Sequence, residues 1–129
     1  MQPITVFLHN GGYDAVHQGL SIAASAAALG RDVELYFFWF ALERLIRGPL
    51  DAPDLREDVA DEMERRGVPT LAQLLEVVRG SSNAKLFACS GSLASLGLTP
   101  ADVEKSVDQI VGWTTILQRT SGVTDRFFV

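Results

Sequence analysis

Cysteine is nearly absent from this chain: its 129 residues hold one, Cys89, beside two histidines, His9 and His17. One thiol excludes an internal disulfide and a C-x-x-C exchange pair, and with only two imidazoles it cannot build a cysteine-rich zinc site. No H-E-x-x-H pair or EF-hand run occurs, so no metal and no other cofactor is expected. Basic clusters are missing too. Eleven Lys and Arg stand against sixteen Asp and Glu, a net charge of −5, and none of them forms a stripe that could follow a phosphate backbone. Nucleic acid is therefore not an expected partner. The longest apolar run, Leu35 to Leu42, has eight residues, against the roughly 18 a membrane span requires. The chain opens with no basic, apolar and small-residue succession of a signal peptide, which together with an unpaired thiol points to the cytoplasm. Gly11-Gly12 followed by Gly19 does not fit G-x-G-x-x-G, and neither a Walker loop nor a G-x-S-x-G elbow is found.

What is present has the composition of one ordinary globular domain, with 47% hydrophobic, 21% charged and 9% aromatic residues. A chain of this length buries about two-thirds of its unfolded surface, enough for a core without metal or disulfide staples. Residues 1–129 read as a single domain, with no repeat or linker. Ile4 to Leu8 is a short β-branched apolar run, bounded by Pro3 and by His9-Asn10-Gly11-Gly12, and reads as a buried strand ending in a loop. From Tyr13 the apolar period becomes helical through Val16, Leu20, Ala23 and Ala27, with Gly30 as the stop. Val33 to Phe38 is a second strand, and Trp39 to Ile46 a short apolar helix closed by Arg47-Gly48-Pro49. The charged stretch from Leu50 to Gly67 reads as a solvated helix with Asp54 as its cap.

Thr70-Leu71-Ala72-Gln73 is a capping box before an amphipathic helix. Ala84 to Ala88 is a third strand running into Cys89-Ser90-Gly91-Ser92, with a short helix over Leu93 to Leu96. Thr99-Pro100 starts another helix, to about Lys105. Val107 to Val111, Trp113 to Arg119 and Asp125 to Val129 read as strand, helix and strand. This alternation predicts a three-layer α/β/α fold, with a mainly parallel sheet of about five strands and helices on both faces. Loop lengths leave the strand order open.

In such sheets ligands bind beyond the carboxyl ends of the strands. Three loops converge there: His9-Asn10-Gly11-Gly12-Tyr13-Asp14, the one starting at Phe38-Trp39-Phe40, and Cys89-Ser90-Gly91-Ser92. The expected result is the only thiol beside an imidazole, glycine amides and an aromatic wall. A cysteine opening a helix feels unpaired N–H groups that favour the thiolate, the nucleophilic form. Ser90 and Ser92 can donate hydrogen bonds, and Gly91 keeps the backbone accessible. The opposing reading is that Cys89 simply packs in the core, as unpaired cysteines commonly do. His9 can act as a proton donor or thiolate partner, or as a neutral ring bonding a loop carbonyl. His17 reads as a surface or rim residue. Asp14 orients a histidine or, the stronger reading, caps the first helix. Trp39 either walls the pocket or packs in a subunit contact.

The residues also carry a resemblance. Ile4 to Leu8 with His9-Asn10-Gly11-Gly12, the alanine-rich helix ending Ala27-Ala28-Leu29-Gly30, Phe37-Phe38-Trp39-Phe40 after the second strand, and Phe87-Ala88-Cys89-Ser90 with Leu96-Gly97-Leu98 behind it resemble the DsrE/DsrF-like family over nearly the whole chain. The resemblance implies a small three-layer α/β domain, commonly a homo-oligomer (trimer or hexamer), related to the Tus sulfur-relay subunits and to sulfur-oxidation accessory proteins. In active relatives a cysteine after the third strand carries sulfur as a persulfide, a role that would fall on Cys89, served by sulfur donor and acceptor proteins. Two other readings stay open: a non-catalytic assembly or small-ligand-binding module, and a redox sensor reacting with peroxide at Cys89.

Overall fold

The computed structural model describes residues 1–52 and 54–129. Strands β1 (Ile4–Leu8), β2 (Val33–Phe37), β3 (Ala84–Cys89), β4 (Gln109–Val111) and β5 (Asp125–Phe128) form one sheet in the order β4-β3-β2-β1-β5, every pair parallel. The helices are α1 (Tyr13–Ala28), α2 (Trp39–Arg47), α3 (Glu57–Arg66), α4 (Leu71–Arg79), α5 (Ser90–Ser95), α6 (Pro100–Val103) and α7 (Trp113–Arg119). The architecture is the three-layer α/β/α fold that the alternation of elements predicts.

Strand order explains why the two outer layers are unequal. Each step from β1 to β4 crosses the sheet in the same direction, so right-handed connections put their helices on one face. The return from β4 to the far side of β1 runs the other way and places α7 on the opposite face. Burial follows this division. Ile4, Val6, Leu8, Val33, Leu35, Leu86 and Ala88 pack with Val16 and Leu20 of α1, Leu42 of α2, Leu75 of α4, Leu93 of α5 and Val103 of α6. The alternate strand positions Phe7, Tyr36, Phe87 and Cys89 form a second cluster with Phe38, Val111 and only Ile116 of α7.

That second face carries an aromatic row set by register: Phe128 opposite Phe7, Phe7 opposite Tyr36, Tyr36 opposite Phe87. Ring centroids along it lie 4.6, 5.5 and 4.7 Å apart with interplanar angles below 20°. Each such pair adds about 0.5–1.5 kcal/mol beyond burial. Arg119 of α7 closes the row, its guanidinium 4.8 Å from the Phe87 ring while it pairs with Glu34.

Several local expectations change. Asp54 does not cap α3, whose cap position is Arg56; its carboxylate instead accepts from the Tyr13 N–H of α1 at 2.9 Å and pairs with Arg44 at 2.8 Å. Asp14 is likewise not the cap of α1. Gly12 holds that position without a side-chain bond, and Asp14 lies inside the first turn, where its charge suits the helix dipole. The fourth strand begins at Gln109, not Val107, because Asp108 substitutes its side chain for ladder pairing: its Oδ2 accepts from Leu86 N–H at 2.7 Å, and its own N–H donates to the Leu86 carbonyl. The helix after Thr99 stops at Val103, and the one after β3 begins at Ser90. The capping box at Thr70 and Gln73 forms as its pattern predicts.

Candidate functional site

Opposite-faced crossovers make a crevice. The chain leaving β3 turns onto the first face as α5, the chain leaving β4 turns onto the second as α7, and between them the carboxyl ends of the strands lie open. A cavity of about 460 Å³ occupies this place, lined by Phe7, His9, Phe38, Trp39, Cys89, Gly91, Ser92, Ser95, Trp113 and Phe128. Its volume falls in the range of small-molecule sites.

Cys89 is the last residue of β3 and the cap position of α5. Strand alternation turns its side chain to the second face, and it is 4% exposed. Its neighbours in that cluster are chiefly aromatic, and the thiol forms part of the cavity wall. Gly91 is open on the same side, since a Cβ there would lie 3.8 Å from Sγ. Ser92 is 3% exposed, and its hydroxyl bonds to none of the described residues. Among them no fully enclosed side-chain oxygen lacks a partner, so this hydroxyl opens onto the cavity it lines. Ser95 donates its hydroxyl to the Gly91 carbonyl at 2.9 Å.

His9 follows β1 and is held through its backbone. Its N–H donates to the Val129 carbonyl at 3.0 Å and its carbonyl accepts from Ala41 N–H at 3.4 Å, and the residue lines the cavity. Phe38 is fixed by its N–H donating to the Leu8 carbonyl at 2.8 Å. Trp113 stacks on Phe38 with centroids 5.0 Å apart and 15° between planes. Trp39 is 48% exposed at the rim and has φ +45°, a left-handed conformation that costs a bulky side chain about 1–3 kcal/mol and recurs at functional sites.

Of the residues the sequence singled out, the fold brings His9, Trp39, Cys89, Gly91 and Ser92 to one cavity. It does not bring Asn10, Gly11, Gly12, Asp14 or Ser90 there. Asn10 Oδ1 accepts from Gly12 N–H at 2.8 Å, an internal turn bond. Gly11 is needed for a close approach: a Cβ would stand 2.5 Å from the Phe40 carbonyl oxygen, and its own carbonyl accepts from Arg44 Nε at 2.6 Å. Gly11 and Gly12 therefore do not line the thiol's cavity, and of the glycines expected there Gly91 alone does so among the described residues. Ser90 is exposed and faces Gly112, not the cavity. His17 is away from it as well, stacked on Tyr13 and donating from Nε2 to the Pro69 carbonyl at 2.9 Å.

Phe7, Phe128, Trp113 and Ser95 line the cavity without having been marked in the sequence. The first three lie far apart in the chain and meet only once β5 pairs with β1 and α7 crosses the second face. Among the described residues no group of three or more His, Cys, Asp or Glu is placed to hold a metal ion. No helix there is long and apolar enough to cross a membrane. Among the described residues, the only titratable side chains in the wall are those of Cys89 and His9, and no Lys, Arg, Asp or Glu lines it.

The molecule thus belongs to the parallel three-layer α/β proteins, with a thiol in a predominantly aromatic cavity at the strands' carboxyl ends. Neither a protein-family model nor a curated protein matches the chain. Among solved structures it is similar to the protein of unknown function MTH1491 from Methanobacterium thermoautotrophicum, with a TM-score of 0.63, 14% identity and 100% of both chains covered. At that identity the likeness shows the fold alone.

Proposed function

We propose that this protein is a cytoplasmic sulfur carrier in which Cys89 accepts a sulfane sulfur as a persulfide and passes it to a thiol of a partner protein. The observation that carries the reading is the place of Cys89: a residue 4% exposed that nonetheless lines a cavity at the sheet's ligand-accepting edge. A persulfide needs shielding from bulk solvent and stray thiols, and stacked rings supply it. His9 at the same cavity can hand a proton to a departing thiolate. One cysteine can hold a sulfur but cannot close a cycle, so the reading requires both a donor and an acceptor. It also requires a reducing compartment. The resemblance to the DsrE/DsrF-like family supports the same role, and the net charge of −5 fits protein or small-molecule partners better than nucleic acid.

Intact-mass measurement of the reduced protein after incubation with a persulfide donor tests this. The expected result is a gain of one sulfur atom, removed by dithiothreitol and missing in Cys89→Ser. An unchanged mass in the native protein would end the reading.

A second reading has its own support. Trp113 is 49% and Phe128 68% exposed, with Leu117 beside them on α7 and Phe40 near Trp39. Such clustered apolar exposure suits a subunit contact. On this reading the protein is a non-catalytic homo-oligomer, a trimer or hexamer, or a ligand-binding module of the same fold.

A further inference from the structure

The cavity wall is selective about charge. Phe7, Phe38, Trp39, Trp113 and Phe128 are half of its lining residues, and those with polar side chains are few: His9, Ser92 and Ser95 beside Cys89. Among the described residues no Lys or Arg lines it, so a carboxylate drawn inside would lose water without gaining their counter-charge, which is costly. A flat apolar group faces the opposite situation. Trp113 stacks on Phe7 and on Phe38 at 6.2 and 5.0 Å, and those two rings are tilted against each other at 6.1 Å, an aromatic wall against which a further ring can pack. Ser92 offers a hydroxyl with no partner among the described residues to a polar atom of such a ligand.

Resting on the sulfur-carrier reading, we propose that the donor is a small organic persulfide whose carbon part is flat, apolar and free of carboxylates, of the aryl or benzyl type, and not a peptide thiol persulfide with its charged carboxylates. The transfer is Cys89–SH + R–S–SH → Cys89–S–SH + R–SH. The Cys89 sulfur attacks the outer sulfur of R–S–SH and forms a new S–S bond. The R–S–S bond breaks with its electron pair on R–S, and the thiol proton of Cys89 passes to R–S, with His9 as the relay. Sulfane sulfur changes carriers without an external oxidant or reductant.

The chain's two tryptophans, Trp39 and Trp113, both line the cavity, so at one fixed protein concentration indole emission reports on its occupancy. Titration with benzyl methyl sulfide, an unreactive analogue, is expected to change that emission saturably with a Kd at least about tenfold below that of S-methylglutathione. In rapid-quench intact-mass runs, benzyl hydropersulfide is expected to load Cys89 at least about tenfold faster than glutathione persulfide, after each rate is divided by that with free cysteine. Phe128→Ala, at an exposed position, should narrow both ratios, and Cys89→Ser should retain analogue binding while gaining no sulfur. Equal loading from both donors overturns the donor class and leaves the carrier standing. No loading from either, with saturable binding of the benzyl analogue, overturns the carrier reading and the donor assignment together.

Discussion

Tyr36 shows how much chemistry one strand position gathers on the second face. Its ring has no exposed surface and stacks between Phe7 and Phe87, while its hydroxyl donates to Glu34 Oε1 at 2.7 Å. Burial, then the hydrogen bond to Glu34 and its negative charge, push the phenol's pKa above its ordinary 10.0. A raised folded pKa means that the associated stability is complete below about pH 10 and is lost as pH rises toward the higher folded value. Tyr36→Phe should therefore cost about 1 kcal/mol at neutral pH, the net worth of one hydrogen bond, and shrink the loss of stability at alkaline pH. Urea midpoints of both proteins at pH 7 and near pH 11 decide this; an undiminished alkaline loss in the variant would count against it. Burial in the raised Tyr13 group acts in the same direction, so a residual alkaline loss is expected.

Helix ends in this protein are tied across the chain more than within it. Asp54 serves α1 from 41 residues away, and Asp51 accepts from the Leu71 and Ala72 N–H groups of α4 at 2.7 and 3.2 Å. Asp51 and Asp54 thus clasp the starts of α4 and α1, which also pack against each other. Asp54→Ala and Asp51→Ala should each lower stability by about 1–2 kcal/mol, as lost caps do. Asp14→Ala, which loses only a favourable charge near the start of α1, should cost about 0.3–1 kcal/mol. The ranking is readable from chemical denaturation of the three variants, and an Asp14→Ala loss larger than that of Asp54→Ala would contradict the assignment of the cap.

At the level of the whole molecule, the topology leaves one face thinly covered. Only α7 returns across the second face, and beside its buried Ile116 stand the exposed Trp113, Leu117 and Phe128. The proposed self-association through this face predicts a sedimentation coefficient that rises with protein concentration in the micromolar range. Leu117→Ser should weaken it by about tenfold, roughly 1.4 kcal/mol, with little effect on folding because the side chain is exposed. A monomer at all concentrations would exclude that face as an interface between copies. Leu117 is not among the cavity residues, so the dissociated variant should still load one sulfur on Cys89.

The sequence by itself determined the elements and their class. The β-branched run at Ile4 to Leu8, the alanine-rich period of α1 and the capping box at Thr70 are local patterns, enforced by backbone sterics and nearest hydrogen bonds, and they survive in the fold. Cys89 at a strand end beside His9 and Trp39 was legible for the same reason, because parallel strands gather their following loops at one edge. Tertiary structure alone decided the strand order, and with it the meeting of Phe7, Phe128 and Trp113, whose contact depends on which strand β5 pairs with. It also decided that Gly11 backs onto Phe40 instead of the thiol and that Asp54 serves α1. Such contacts are set by how distant segments pack, and no period or spacing within one segment encodes the partner.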